Sequence, residues 1–250
     1  MIIYRIQKGV TPFLSAVFDA YDTKKFPDVI TTRTAVPQTF DTEMLCPLPD
    51  EQHAERVKTA IIKYGGMRTY DDVTDCLRSD IGDKETTAYE YVKLLLKEKR
   101  YVGNMLANVV VLNFIDIVKK VRTEAHRMKG FLRFMQLENG NLYAHYTPDN
   151  DVTDLILTHF IARYKNFKFA IHDSKRGIMA VYDGKTSKVF STDSTVTVYI
   201  SEEERRMRDL WKEYYDSVNI KQRKNKKLQD NSLPVRYRGN MTEFEPKSTK

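Results

Sequence analysis

The chain has 250 residues, of which 41% are hydrophobic and 30% are charged, and it carries a net charge of +7 at pH 7. This composition suits a globular protein and excludes a fibrous chain, and the length allows one large or two small domains. The basic charge favours a polyanionic partner.

The first half of the chain has the pattern of a mostly helical domain with a few strands near its start. Short apolar runs predict strands at residues 2–6, 29–33 and 43–46. Apolar residues at helical spacing predict helices at residues 12–23, 50–64, 70–77, 84–99 and 104–128. We therefore expect a mostly helical domain over residues 1–128 with short N-terminal strands.

The second half changes to strands and turns after Gly130, which lies where a helix usually ends. Asn139-Gly140 and Asp183-Gly184 separate alternating runs, and such dipeptides predict tight hairpins. The patterns predict a helix capped by Asp151 at residues 151–163, and strands at residues 141–146, 167–172, 178–182, 188–191 and 195–200. The expected class is α+β, with an antiparallel α+β domain over residues 129–244 and a disordered tail over residues 245–250.

A closing helix is expected from residue 201 to about residue 218. Ser201 and Glu204 have the spacing of a capping box, which starts a helix by satisfying its first N–H groups. The apolar residues of this helix recur at helical spacing and are expected to form its buried stripe. They are Met207, Leu210, Trp211, Tyr214 and Val218.

The two cysteines and the apolar stretches indicate a cellular setting. Cys46 and Cys76 lie far apart and form no C-x-x-C pair, which is typical of a reduced, cytoplasmic protein. The N-terminus lacks the pattern of a secretory signal, and the most apolar stretch, residues 105–118, is too short to cross a bilayer. No membrane association is expected.

A set of histidines, arginines and one aspartate in the centre of the chain supplies candidates for catalysis. Histidine exchanges protons near neutral pH, a carboxylate orients it, and arginine stabilises a phosphate or a developing anion. A charged turn and an ordinary helix-edge histidine explain the same residues structurally. Since no nucleophile lies beside a base, no reaction is indicated and it stays open whether the chain is an enzyme. The catalytic candidates are His126, His159, Arg163, His172, Asp173 and Arg176.

Most of the excess positive charge lies between residues 221 and 240, where seven basic residues accompany the single acid Asp230. Such a segment releases counterions when it neutralises phosphates, although a charge run is also typical of a solvated tail. Against a free tail stand five residues that are expected to anchor the segment on the domain, namely Leu228, Leu233, Pro234, Val235 and Tyr237. The nucleic-acid-binding candidates are Arg127, Arg133, Lys221, Arg223, Lys224, Asn225, Lys226, Lys227, Gln229, Arg236, Tyr237 and Arg238.

Several signatures of other protein classes are missing or incomplete. Residues 184–187 imitate the end of a phosphate-binding loop, but Met179 stands where that loop needs its earlier glycine. Two cysteines cannot supply the three-cysteine signature of a radical-SAM enzyme, and with five scattered histidines they do not predict a zinc site. No cofactor or metal is expected in this chain.

The central motif and both ends of the chain carry a family resemblance, whereas residues 33–101 carry little of it. The residues that carry it in the centre are Glu124, His126, Arg127, Gly130-Phe131, Arg133-Phe134, His159-Phe160, Arg163, Ile171-His172-Asp173 and Arg176. Those at the ends are Met1 to Arg5, Ala16 to Tyr21, Asn225 to Gln229, Leu233 to Tyr237 and Met241 to Phe244. In these residues the chain resembles a bacterial family of DNA-metabolism or DNA-repair proteins, typically encoded beside a radical-SAM protein related to spore photoproduct lyase, with some members fused to uracil-DNA glycosylase.

The resemblance and the basic segment together predict a DNA-binding protein of DNA repair or base modification that acts with a radical-SAM partner. The alternative is an enzyme that acts directly on a nucleobase or nucleotide through its His/Asp/Arg cluster. A scaffold for a protein partner is a third possibility. The sequence leaves the strand preference, the substrate and the oligomeric state open.

Overall fold

The computed structural model of the chain describes residues 1–35, 40–193 and 195–244. Two compact units are present, Met1–Arg122 and a second unit that begins at Thr123. The division falls within one long helix, whereas the sequence places the boundary after residue 128. The tail expected to be disordered, residues 245–250, lies outside the described residues.

The first unit combines a three-stranded sheet with helices. β1 lies between β2 and β3 and runs parallel to both. The predicted strands and helices are present with ends that differ by a few residues, so the mostly helical first half is confirmed. The elements are β1 (Ile2–Arg5), α1 (Val10–Asp22), β2 (Val29–Thr31), β3 (Glu43–Leu45), α2 (Glu51–Gly65), α3 (Met67–Leu77), α4 (Lys84–Glu98) and the start of α5 (Val109–Phe131).

The spacing of apolar residues accounts for the packing of this unit. Phe13 and Val17 fall one turn apart on α1, and both are buried in the core. Ile61 of α2 belongs to the same core, and the rings of Tyr91 and Phe114 stack at a centroid distance of 3.8 Å. Burial of one such side chain contributes about 1.5–3 kcal/mol. Helical periodicity therefore predicts this half of the chain well.

The second unit is built on a five-stranded sheet with the strand order β4-β5-β6-β7-β8. β5 and β6 are parallel, α6 connects them, and the other neighbouring pairs are antiparallel. This mostly antiparallel sheet confirms the α+β class. The elements are β4 (Met135–Gln136), β5 (Leu142–Tyr146), α6 (Thr153–Arg163), β6 (Phe169–Asp173), β7 (Ile178–Tyr182), β8 (Ser187–Ser191), α7 (Glu202–Ser217) and α8 (Lys226–Ser232), with 3-10 helices at Lys221–Arg223, Val235–Asn240 and Thr242–Phe244.

Both predicted hairpins are present in this sheet. Gly140 has a φ of 78° between β4 and β5, and Gly184 has a φ of 95° between β7 and β8, a region that glycine enters without steric cost. The carboxylate of Asp183 accepts hydrogen bonds from the N–H groups of Lys185 and Thr186, and these bonds lower the pKa of Asp183 to about 2. Local turn chemistry thus fixes the two hairpins.

The strand predicted at residues 195–200 is wrong. The described part of this stretch forms a single β-bridge, between Ile200 and Leu137. Two further hydrogen bonds run nearby, from the N–H of Glu138 to the carbonyl of Tyr199 and from the N–H of Ser201 to the carbonyl of Gln136. β4 has only two residues, so its edge is too short to hold a full additional strand.

The closing helix starts as predicted, but its apolar stripe is not buried. Ser201 caps α7 by accepting a hydrogen bond from the N–H of Glu204 at 3.1 Å. The residues of the expected stripe are 44–57% exposed, and the buried residue of this helix is Lys212. Helical spacing identifies residues that share a face, but it does not identify what covers that face. The residues wrongly expected to be buried are Met207, Leu210, Trp211, Tyr214 and Val218.

Two helix ends also differ from the expected positions. α5 continues through Gly130 to Phe131, and α6 begins at Thr153, after the predicted cap Asp151. The N-cap position of α6 is Val152, which makes no side-chain capping bond. Within the described ranges, no helix combines the length and the apolar character that a membrane crossing requires.

Candidate nucleic-acid interface

Glu124 of α5 is a buried carboxylate at which several parts of the second unit meet. Its Oε1 atom accepts a hydrogen bond from the N–H of Asp149 at 2.7 Å. Its Oε2 atom accepts bonds from the N–H and the Nδ2 of Asn150, at 2.8 and 2.6 Å. A buried carboxylate needs such donors because burial without them is costly. Glu124 therefore fixes the loop that follows β5.

The C-terminal segment binds at the same place through Tyr237 and Arg236. The hydroxyl of Tyr237 donates a hydrogen bond to Oε1 of Glu124 at 2.6 Å, and burial together with this bond raises the pKa of Tyr237. The Nε of Arg236 lies 2.9 Å from Oδ2 of Asp149, and its guanidinium lies 4.6 Å from the centroid of the Tyr237 ring. The segment is therefore docked on the domain through Tyr237 and Arg236, whereas two of the apolar residues expected to anchor it, Leu228 and Val235, are 62% and 63% exposed.

Asp173 and Arg176 form an internal ion pair at the turn between β6 and β7. The Nη1 of Arg176 lies 2.9 Å from Oδ2 of Asp173, which is fully buried. Arg176 also donates to the backbone carbonyls of Pro148 and Asp149. Burial raises the pKa of Asp173 even though the Arg176 pair opposes that shift. The two candidates are brought together, and their contacts hold the turn between β6 and β7 against the loop that follows β5.

The three candidate histidines have different environments. His172 is buried, with Nδ1 2.7 Å from the hydroxyl of Tyr143 and Nε2 3.1 Å from the carbonyl of Asp193. His126 on α5 and His159 on α6 are exposed. The three imidazoles therefore do not open onto solvent together, and each ring nitrogen of His172 already has a hydrogen-bonding partner.

Arg133 and Arg163 line a second feature, an open cleft of about 490 Å³. Arg133 is bound by Glu243, with contacts of 2.7 and 3.4 Å, and donates to the carbonyl of Gly130 at 2.8 Å. Arg163 is exposed, and its guanidinium lies 5.7 Å from the centroid of the Tyr164 ring. We call this space the arginine–aromatic cleft, and its main lining residues are Lys129, Arg133, Phe134, Arg163, Tyr164 and Trp211.

The basic residues of the C-terminal segment fall into two groups. Arg236 and Arg238 are paired internally, and the Nη2 of Arg238 lies 2.6 Å from Oδ1 of Asp230. The second group is exposed and makes no ion pair within the part of the chain that the structure describes. We call this group the basic patch, and it consists of Arg223, Lys224, Lys226 and Lys227.

The remaining candidates lie around this patch or on α5. Asn225 caps α8 by accepting the N–H of Leu228 at 3.0 Å, and Gln229 is half-buried on the same helix. Both line an open cleft of about 690 Å³ together with Arg223 and Lys224. Arg127 is half-buried on α5, and Lys221 begins the 3-10 helix that precedes the patch.

The acidic partners in two long-range ion pairs of the second unit are not identifiable from the sequence. Asp149 and Glu243 pair with Arg236 and Arg133, but neither acid lies in a local pattern that signals an ion pair. The available signal for Glu243 is its place in the C-terminal run Met241 to Phe244 that carries the family resemblance. Such long-range pairs follow from the fold and not from spacing.

Comparison with known proteins assigns the chain to one family. A family model with the description "Domain of unknown function (DUF4130)" matches residues 82–243, more than half of the chain. The matched range includes Glu124, Asp173 and Tyr237, and it ends at Glu243. No curated protein and no solved structure matches the chain.

Proposed function

We propose that this chain, which belongs to the family of the domain of unknown function DUF4130, is a DNA-binding protein of DNA repair or base modification. The observation that carries the proposal is the basic patch. Its four cations lie within five consecutive residues and are exposed, with no carboxylate partner among the described residues. Exposed cations that no acid neutralises are available to phosphates.

The docked segment gives this patch a defined position on the second unit. Tyr237 and Arg236 hold the segment at Glu124 and Asp149, while Arg238 is paired with Asp230. These two arginines are therefore weaker candidates for phosphate contact than the patch itself. Four phosphate contacts predict a slope of roughly −3 to −4 for the logarithm of affinity against the logarithm of salt concentration on duplex DNA.

The biological role and the partner in this proposal come from the sequence. The resemblance of the central motif and the C-terminal runs to DNA-repair proteins supports a role in repair or base modification. The same resemblance supports a radical-SAM protein as the partner. Both cysteines are free thiols, which supports a reducing, cytoplasmic setting.

Fluorescence anisotropy with single-stranded and double-stranded DNA across a salt series tests DNA binding. We expect the Lys224→Ala, Lys226→Ala, Lys227→Ala triple variant to lose affinity at low salt and to have a shallower salt slope, because three phosphate contacts are removed. The matched control replaces three exposed lysines outside the patch, Lys165, Lys185 and Lys188. An absence of DNA binding at low salt, or equal losses in both triple variants, contradicts the proposal.

A further inference from the structure

The arginine–aromatic cleft has the size and the lining of a ligand site. Its volume of about 490 Å³ lies within the range of small-ligand pockets, which is roughly 300–1,000 Å³. Trp211 of α7 lines the cleft with 44% of its surface exposed, opposite to the buried position that its spacing predicts. An exposed indole in a concave site offers a flat surface for stacking.

The aromatic wall of the cleft is supported by ring packing around Phe134. The ring of Phe134 packs against Phe160 at a centroid distance of 5.1 Å, against Tyr164 at 4.9 Å and against Phe169 at 5.6 Å. Phe160 and Phe169 are buried in the second unit. The wall is therefore fixed before a ligand arrives, which reduces the entropy cost of binding.

The cations of the cleft differ in their availability. Arg133 is paired with Glu243, and Arg208 is paired with Glu204 at 3.0 Å. Lys129 and Arg163 have no carboxylate partner among the residues that the structure describes. The cleft therefore combines two cations available to an anion with an accessible aromatic face.

We propose that the arginine–aromatic cleft binds one unpaired nucleotide of a DNA strand, with the base stacked on Trp211 and the flanking phosphate bound by Lys129 and Arg163. This inference rests on the proposed DNA-binding function and names the form of DNA that is recognised. A paired base has both faces covered by its neighbours, whereas an unpaired base exposes a face to an aromatic side chain. Stacking on an aromatic ring and cationic contact with phosphate are the common features of single-strand binding.

Trp211 is the only tryptophan in the sequence, so its emission reports directly on the cleft. Three probes are titrated: a thymidine dodecamer, a perfect duplex of mixed sequence, and the same duplex with one unpaired thymine. An abasic strand of the same length serves as the control for backbone contact. We expect the dodecamer and the bulged duplex to quench the emission, and the perfect duplex and the abasic strand to leave it nearly unchanged.

Variants with anisotropy as the readout complete the test. Trp211→Ala is expected to weaken single-strand binding about tenfold while duplex binding by the basic patch is retained. Trp211→Phe keeps a ring and is expected to restore part of the loss, and Arg163→Glu is expected to weaken single-strand binding without removing the ring. Phe190→Ala is the control, because Phe190 is an aromatic residue of β8 that is 48% exposed and lies outside the cleft lining.

The outcomes separate this inference from the function on which it rests. If no DNA form binds at low salt, the proposed function itself is wrong. If the basic patch supports binding but Trp211→Ala leaves single-strand affinity unchanged, the inference alone is overturned. In that case Trp211 does not stack on a base, and the exposed face of α7 has no part in single-strand binding.

Discussion

The hydroxyl of Tyr237 donates a 2.6 Å hydrogen bond to the buried carboxylate of Glu124, which precedes it by 113 positions. Glu124 lies on the helix that opens the second unit, and Tyr237 lies in the basic segment near the end of that unit. The same carboxylate holds the loop at Asp149 and Asn150. One acid thus joins the helix, the sheet loop and the C-terminal segment.

Replacing Tyr237 with phenylalanine tests the strength of this junction. The change removes a donor to a buried charged acceptor and keeps the ring, so we expect the free energy of unfolding to fall by about 1.5–3 kcal/mol. Urea unfolding followed by circular dichroism measures the loss. Tyr214→Phe is the matched control, because Tyr214 is 56% exposed, and we expect it to change stability by less than about 0.5 kcal/mol. Equal stability of the two variants would contradict the role of the junction.

The ion pair of Arg133 and Glu243 predicts a loss of stability in acid. Burial is the largest single influence on Glu243 and favours its neutral form, but the hydrogen bond and the charge of Arg133, together with hydrogen bonds from the backbone and Trp211, outweigh it, so the pKa of Glu243 lies below its ordinary value of 4.5. A carboxyl group whose pKa is lower in the folded state adds stability above its unfolded pKa. This stability is present above pH 4.5 and is lost as the pH falls through the folded-state pKa of Glu243.

The difference in unfolding free energy between the wild type and Glu243→Gln isolates this effect. We expect the difference to be constant near neutral pH and to shrink below pH 4.5, with circular dichroism as the probe of unfolding because Trp211 itself hydrogen-bonds to Glu243. Because the pKa of Asp173 is raised, its contribution to stability changes with pH in the opposite direction. This contribution cancels in the difference, since both proteins contain Asp173. Glu213→Gln, at an exposed position of α7, is the control and is expected to show no such trend.

His172 and His159 form a matched pair for separating stability from chemistry. We expect His172→Ala to lower the free energy of unfolding by about 3 kcal/mol, because it empties a buried site and removes the partner of the Tyr143 hydroxyl. His159→Ala, at an exposed position, is expected to change it by less than about 0.5 kcal/mol. Chemical denaturation of both variants measures these changes.

An activity assay on nucleobases and nucleotides completes this comparison. If His159→Ala abolished a reaction without changing stability, the enzymatic alternative would be favoured. If His172→Ala left stability unchanged, the structural role of its two hydrogen bonds would be wrong. DNA affinity below the unfolding transition is expected to stay the same in both variants, because neither imidazole belongs to the basic patch.

The elements that sequence predicts well are those set by neighbouring residues. Asn139-Gly140 specifies a hairpin because its residues accept the backbone angles of a tight turn, and Ser201 specifies a helix start because its hydroxyl reaches the N–H of Glu204. In the first half, Phe13 and Val17 share a buried face at helical spacing. Each of these predictions depends on fewer than ten consecutive residues.

The features that sequence does not predict depend on which distant segments meet. Nothing near Glu243 or Arg133 indicates that they pair, since the two are 110 positions apart. The burial of α7 is predicted wrongly for a related reason, because the spacing of Met207 and Trp211 resembles a core stripe while both are exposed. His172 is recognised from sequence as a polar residue at a turn, but its burial follows from the parallel pairing of β5 and β6.

The distance along the chain between Glu124 and Tyr237 also sets an order of events during translation. At about 5–20 residues per second, a ribosome adds Tyr237 roughly 6 to 23 seconds after Glu124. Throughout that interval the nascent second unit lacks the phenol that binds its central acid and the carboxylate that binds Arg133. The unit therefore reaches its final form only when synthesis has passed residue 243, and a nascent chain stalled earlier exposes these groups to chaperones and proteases.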